Sequence, residues 1–377
     1  MSQDEYGGNS GFIVNVIMIN IVVIIIVVIV YIYYTINLDS TECKKSDSMY
    51  SVANTYIHST NSNDPDCQYT LKDYYIKTAY NCCSGGSYRN DFVDTCNLKN
   101  IIKQGVRALD FEIYSIDDKP VVATSTESNY NIKETYNSVP FSDVMSVIVN
   151  YAFSNGTAPC PDDPIVIHLR IKSSNQNMFN TLAAIFRENS WRLLGPEYGS
   201  ENRVCDNSTD VCHSRNIGDL KIQDELKGKI VVVVDRSNTD FMDNTEFYPY
   251  VNMTSNSMFM RCMSYYDTKF TPDMGELQEY NKKNMSIVIP DNKSNPENPS
   301  GIVCREMGCQ MIAMRYENME INLEENEQFF NSVGYSFVLK PERLRYIPII
   351  IPDTPENDPL LAYAPRETKS DYYNFQT

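Results

Sequence analysis

From Phe12 to Tyr34 every position is apolar except Asn15 and Asn20. That run is far longer than an ordinary strand. It matches the length a helix needs to cross a hydrocarbon core of about 30 Å. The residues before it carry Asp4 and Glu5 in place of a basic start. The exit, Tyr31-Ile32-Tyr33-Tyr34-Thr35, has no small-x-small cleavage site and supplies aromatics of the kind found at membrane interfaces. The pattern predicts an uncleaved transmembrane anchor over 12–34 behind a short tail, 1–11.

Residues 35–70 are dominated by Ser, Asn, Asp and Thr and read as a polar stalk. Beyond Tyr74, short apolar runs alternate with amphipathic stretches. Val106–Ile113, Pro120–Ala123, Ile165–Ile171 and Ile230–Val234 have the character of buried strands, as do Met285–Ile289, Gln310–Tyr316 and Ser336–Leu339. Phe141–Phe153 and Met178–Leu194 show helical apolar spacing. Strands alternating with helices predict an α/β domain with a parallel sheet, open or closed into a barrel. The segment 353–377 reads as an acidic, extended tail rich in Pro and Tyr.

The chain has 377 residues and a formal net charge of −17. An acidic surface repels polyphosphates, which argues against nucleic-acid binding and against electrostatic docking on anionic lipid. All eleven cysteines follow residue 42, in no zinc-binding pattern. Short-range pairs such as Cys205/Cys212 and Cys304/Cys309 are candidates to close small loops, in an oxidising compartment. Asn155, Asn207, Asn252, Asn284 and Asn292 head glycosylation tripeptides. Both features favour a lumenal or external domain on a single-pass protein, whereas Lys44 and Lys45 after the span favour the cytosolic side.

Several segments, in order, resemble the catalytic barrel of the phosphoinositide-specific phospholipases C. Lys99-Asn-Ile-Ile-Lys-Gln-Gly-Val-Arg-Ala-Leu-Asp-Phe-Glu-Ile113 is similar to the family's helix, Gly-x-Arg turn and strand with two alternating acids. Pro120-Val121-Val122 resembles the next strand, and Leu226-Lys-Gly-Lys-Ile-Val-Val-Val-Val234 the strand closing the first half. Tyr280 to Pro290, Gly308 to Met314, and Gly334 to Pro341 followed by Leu344-Arg345 resemble strands of the second half. The resemblance implies a (β/α)8 TIM-type barrel over about 71–352, preceded by the anchor, with a short linker between its halves at about 235–275.

It also implies a chemistry. In the family the inositol 2-hydroxyl attacks the phosphodiester, releasing diacylglycerol and a cyclic phosphate. Two histidines move protons and a calcium ion offsets phosphorane charge. This chain has only His58, His168 and His213. The first catalytic histidine position falls at Tyr80 and the second at Thr124. A phenol with pKa near 10 and a threonine hydroxyl do not shuttle protons at neutral pH without strong activation. Losing one acid–base group typically costs about 10²–10⁴ in rate. The implied calcium ligands are Asn81, Asp110, Glu112 and Arg170. An arginine in place of an acid repels a cation and would pair with Asp110 or Glu112, so no calcium and no other cofactor is expected. The phosphate-gripping positions fall at Val233, Ile287 and Ile289, which cannot hold a phosphorylated ring.

These substitutions favour a membrane-anchored phospholipase C-like protein without turnover, acting as a binding or structural module. Its expected partner is the bilayer, through residues 12–34. Two alternatives stand beside it. One is an active phosphodiesterase using non-standard groups such as Tyr80 with His168 or Asp110. The other is a structural protein of a membrane-bounded particle such as a large DNA virus, a reading that rests on the Asn-, Ile- and Tyr-rich composition.

Overall fold

The computed structural model describes residues 5–126, 132–200, 203–206, 211–214, 216–348, 365 and 367–376. Eight strands form the barrel: β1 (Tyr74–Ala79), β2 (Ala108–Ile116), β3 (Ile165–Ile171), β4 (Ile230–Asp235), β5 (Met253–Ser255), β6 (Met260–Ser264), β7 (Met285–Ile289) and β8 (Met311–Met314). They pair in parallel around the ring in the order β6-β7-β8-β1-β2-β3-β4-β5. No backbone ladder joins β5 to β6, so the parallel barrel is nearly closed.

Alternation along each strand builds two apolar layers. On β2, Leu109, Phe111 and Ile113 face outward to a core shared with the helices, while Ala108 joins the lumen. Asp110 and Glu112 share the parity of Ala108, so the two acids also project inward. The lower lumen is filled by Ile76, Val166, Val231, Met285 and Met311. Around the ring lie α2 (Thr95–Lys103), α3 (Phe141–Tyr151), α4 (Gln176–Glu188), α5 (Tyr265–Lys269), α6 (Met274–Lys283), α7 (Gly301–Glu306) and α8 (Ile321–Val333). Asp94 caps α2 by accepting from the Cys96 amide, and Asn175 caps α4.

Three sequence expectations change here. The apolar run at 119–122 is no barrel strand: it pairs antiparallel with the end of β2, Val122 opposite Ile113. Phe337–Leu339 pairs antiparallel with β1. The region read as a linker instead supplies β5 and β6. Both are short and rich in Met and Ser, so no apolar alternation marks them.

The N-terminal helix α1 runs from Glu5 to Met49. It is the one described helix long and apolar enough to cross a membrane, and its apolar stretch is exposed. The expected stalk is corrected: residues 35–49 continue the helix, and 50–70 pack on the barrel, with Tyr50, Ile57 and Cys67 buried. Tertiary contacts outweigh the polar composition. Cys43 forms a disulfide with Cys96, Cα atoms 5.9 Å apart. The Asn100 side chain donates to Ser46 Oγ at 3.0 Å and to Asp47 Oδ1 at 2.7 Å. Tyr50 Oη donates to the Tyr316 carbonyl at 2.6 Å.

Cys304 and Cys309 are free buried thiols, so that expected pair is not made. Cys205 and Cys212 stand opposite one another in a two-stranded hairpin. Asn252 is buried, its amide bonded to the Gly195 carbonyl at 3.1 Å, and is thereby removed as a glycan acceptor. Residues 346–377 form a separate unit. Within it Glu367–Lys369 pairs with Asn374–Gln376, while most of the expected extended tail lies outside the described residues.

Candidate functional site

Parallel strands of a barrel direct their C-terminal ends and following loops to one mouth, where barrel sites are built. Tyr80 and Asn81 follow β1, Asp110 and Glu112 lie on β2, and Arg170 lies near the end of β3. In register Glu112 stands beside Arg170 and Asp110 beside His168. Asn81 takes a left-handed backbone, φ 43°, which Asn tolerates better than most side chains. That turn aims its amide into the mouth.

Four of the expected positions, Tyr80, Asn81, Asp110 and Glu112, converge on the guanidinium of a fifth, Arg170. Nε donates to Asp110 Oδ1 at 3.0 Å and Nη2 to Asp110 Oδ2 at 2.7 Å. Nη2 also donates to Asn81 Oδ1 at 2.7 Å, and Nη1 to Glu112 Oε1 at 2.5 Å. Tyr80 lays its ring against the same cation, 4.6 Å from centroid to guanidinium carbon. The remaining Glu112 oxygen accepts from Tyr114 Oη at 2.9 Å and the Ser125 amide at 3.1 Å. Burial alone would raise the Asp110 carboxyl. The Arg170 charge and the bond from His168 outweigh it and hold that carboxyl well below the usual range. Arg170 itself loses hydration by burial, but Asp110 and Glu112 keep it firmly protonated.

Calcium needs the same oxygens at 2.3–2.6 Å. Asn81, Asp110 and Glu112 each give an oxygen to the fixed cation of Arg170. Elsewhere among the described residues, Cys43, Asp94 and Cys96 have metal-ligand spacing, but the two thiols are joined in the disulfide.

The mouth is also covered. Tyr80, Asn81, Asp110, Glu112, Thr124, Arg170, Val233 and Ile287 are all buried, and Ile289 partly so. Tyr88, from the loop after β1, stacks edge-on against Tyr80 at 5.4 Å. Its carbonyl accepts from Thr124 Oγ1 at 3.1 Å, which is the role of that residue here. The Tyr88 hydroxyl donates to Glu317 Oε1 at 3.0 Å, an oxygen that also accepts from Arg315 Nε at 2.8 Å. Arg315 packs on the Tyr88 ring at 4.8 Å. Burial drives the Tyr80 and Tyr88 phenols well above their ordinary range, away from any role as neutral-pH bases.

Tyr88 escaped sequence reasoning, and His168 entered it only as a partner for Tyr80 in the alternative reading. His168 instead joins the Asp110 network: Nδ1 bonds Asp110 Oδ1 at 2.7 Å and Nε2 bonds Ser255 Oγ at 2.8 Å. An Asp-His-Ser line is a proton-relay arrangement, but all three are at most 1% exposed, beneath Arg170. The inward parity of His168 with Arg170 was the available signal. Tyr88 carried no signal, because a loop residue's place over the mouth depends on tertiary contacts. Neither His58, on the outside of the barrel, nor His213, in the hairpin, lies on a barrel strand.

Residues 67–204 match the family described as phosphatidylinositol-specific phospholipase C, X domain, and residues 233–343 its Y domain. Among solved structures the chain is similar to PLC21 of S. officinalis, at 17% identity and TM-score 0.58, over 74% of this chain and 38% of that one. It is also similar to PLC21 of L. pealei, at 16% identity and TM-score 0.57, with the same coverage. At these identities the likeness concerns the fold, and the chain spans little more than a third of either protein. No curated protein sequence matches it.

Proposed function

The chain belongs to the phosphatidylinositol-specific phospholipase C family, and we propose that it is a membrane-anchored member without phosphodiester cleavage, serving as a binding or structural module. One observation carries the reading: the Arg170 guanidinium takes the oxygens of Asn81, Asp110 and Glu112. Support comes from Tyr80 and Thr124, which have no imidazole to accept and return a proton, and from Val233, Ile287 and Ile289, which offer phosphate only methyl groups. The exposed apolar stretch of α1 supplies the anchor. The disulfide favours an external or lumenal barrel, since such bonds persist in oxidising compartments.

A second reading, catalysis by non-standard groups, draws on His168 between Asp110 and Ser255. Its burial beneath Arg170 counts against it, because a proton relay must reach its substrate. A structural role in a membrane-bounded particle is a version of the first reading. Stoichiometric recovery from such a particle would single it out.

Titration of the detergent-solubilised chain with inositol 1-phosphate tests the closed mouth. No saturable binding is expected. Saturable binding that disappears in Arg170→Met would mean that the mouth opens and still grips the headgroup. Restoring Tyr80→His, Thr124→His and Arg170→Glu together should give little turnover, because the phosphate grip is still missing.

A further inference from the structure

The course of α1 fixes which end of the barrel meets the membrane. Helix α2 starts after the loop leaving the C-terminal end of β1 and ends before β2, so it descends from the mouth to the opposite end. Helix α1 runs alongside in the same direction, since Cys43 meets Cys96 while Ser46 and Asp47 meet Asn100. Its N-terminal, apolar part therefore projects beyond the mouth. At 1.5 Å per residue, Tyr34 stands about 14 Å and Tyr31 about 18 Å above Cys43 along the helix.

A second contact reaches that height. The loop at 132–137 is tied to the loop over the mouth: the Tyr136 amide donates to the Asp91 carbonyl at 2.9 Å, and the Asn90 amide to the Glu134 carbonyl at 3.0 Å. Phe92 packs on Tyr136 at 5.3 Å. Tyr136 Oη then lies 3.1 Å from Tyr31 Oη, inside the apolar segment's aromatic end. Ile132 and Tyr136 of the loop and Tyr33 and Tyr34 of α1 are all exposed. Aromatic rings with a polar edge settle at the headgroup level of bilayers.

We propose that Tyr31, Tyr33 and Tyr34 of α1 and Ile132 and Tyr136 of the loop form one interfacial patch. It seats in the headgroup layer of the bilayer that α1 spans, so the barrel stands mouth-down on its own membrane. The proposal rests on α1 being an anchor. The covering loop then lies between the barrel lumen and the lipid.

The single tryptophan supplies an internal reference. Trp191 is exposed at the opposite end, its carbonyl accepting from Lys229 Nζ and its neighbour Leu193 bridging to Ile230, the first residue of β4. The full chain is reconstituted in phosphatidylcholine vesicles with and without brominated acyl chains. Trp191 emission should be unchanged by bromine. Tyr136→Trp or Ile132→Trp, each in a Trp191→Phe background, should lose about half its emission or more and shift to shorter wavelength. Protein that floats with the vesicles while both introduced tryptophans escape quenching overturns the patch and leaves the anchor standing. Quenching of Trp191 would reverse the orientation and also overturn it. Protein that fails to float removes the anchor, and the proposal with it.

Discussion

Arg170 grips Asp110 as a two-pronged fork, Nε to one carboxylate oxygen and Nη2 to the other, at 3.0 and 2.7 Å. The fork is the geometry in which a planar guanidinium matches a carboxylate best. Removing the cation strands two buried acids. Arg170→Met should cost about 3–5 kcal/mol, the usual penalty for breaking a buried pair from one side. Arg170→Met combined with Asp110→Asn should recover part of the loss. Denaturant unfolding in detergent measures both, and a loss in the single variant as small as that of a surface substitution would refute the role given to Arg170.

Calcium should leave the unfolding temperature of the native protein unchanged at millimolar concentration. Arg170→Glu adds a third acid beside Asp110 and Glu112. That variant should be destabilised and should regain thermal stability when calcium is added. A calcium-dependent rise in the native protein would contradict the donor-set argument.

Glu42 of α1 packs against the loop over the mouth, where a Cβ on Gly85 or Gly86 would collide with it. Burial first, then the neighbouring Asp91 charge, raises its carboxyl to about 8, partly offset by Lys45; Glu317 adds to the rise. Asp39, raised by burial and by Asp94, acts in the same direction. A folded-state pKa above the unfolded value favours the fold at low pH. This contribution is full below about 4.5 and is lost as pH rises to about 8. Asp110, held low, has the opposite sign and matters only in stronger acid. Hydrogen exchange of residues 36–49 should therefore speed up between pH 5 and 8 beyond the intrinsic rate. Glu42→Gln should flatten that dependence.

The Cys43–Cys96 bond closes a span of 53 residues. In the loop-entropy account such a closure contributes about 4 kcal/mol. Paired Cys43→Ser and Cys96→Ser should lower stability by a similar amount. The same change should free α1 from α2, seen as increased proteolysis between residues 36 and 60.

The barrel was readable because its strands carry Ile and Val at both parities, and because the Gly-x-Arg and Leu-Lys-Gly-Lys-Ile segments come in order. The pairing of Arg170 with Asp110 or Glu112 was expected from the resemblance, which puts all three at ligand positions, and strand parity adds that the two acids share a face. What was not readable depends on contacts distant in sequence. Residues 35–49 look like a polar stalk until Cys96 and Asn100 hold them helical. The segments at Met253 and Met260 are too short for periodicity to mark. Tyr88 reaches the mouth only because Glu317 and Arg315 hold it there. His168 was expected only as a partner for Tyr80, although its parity puts it on the inner face with Arg170.

The most direct test is turnover. The detergent-solubilised full chain is incubated with phosphatidylinositol, with and without calcium, and released water-soluble inositol phosphates are counted. The account predicts release no greater than in a protein-free control under either condition. Release above that control, abolished by Tyr80→Phe or His168→Ala, would contradict it.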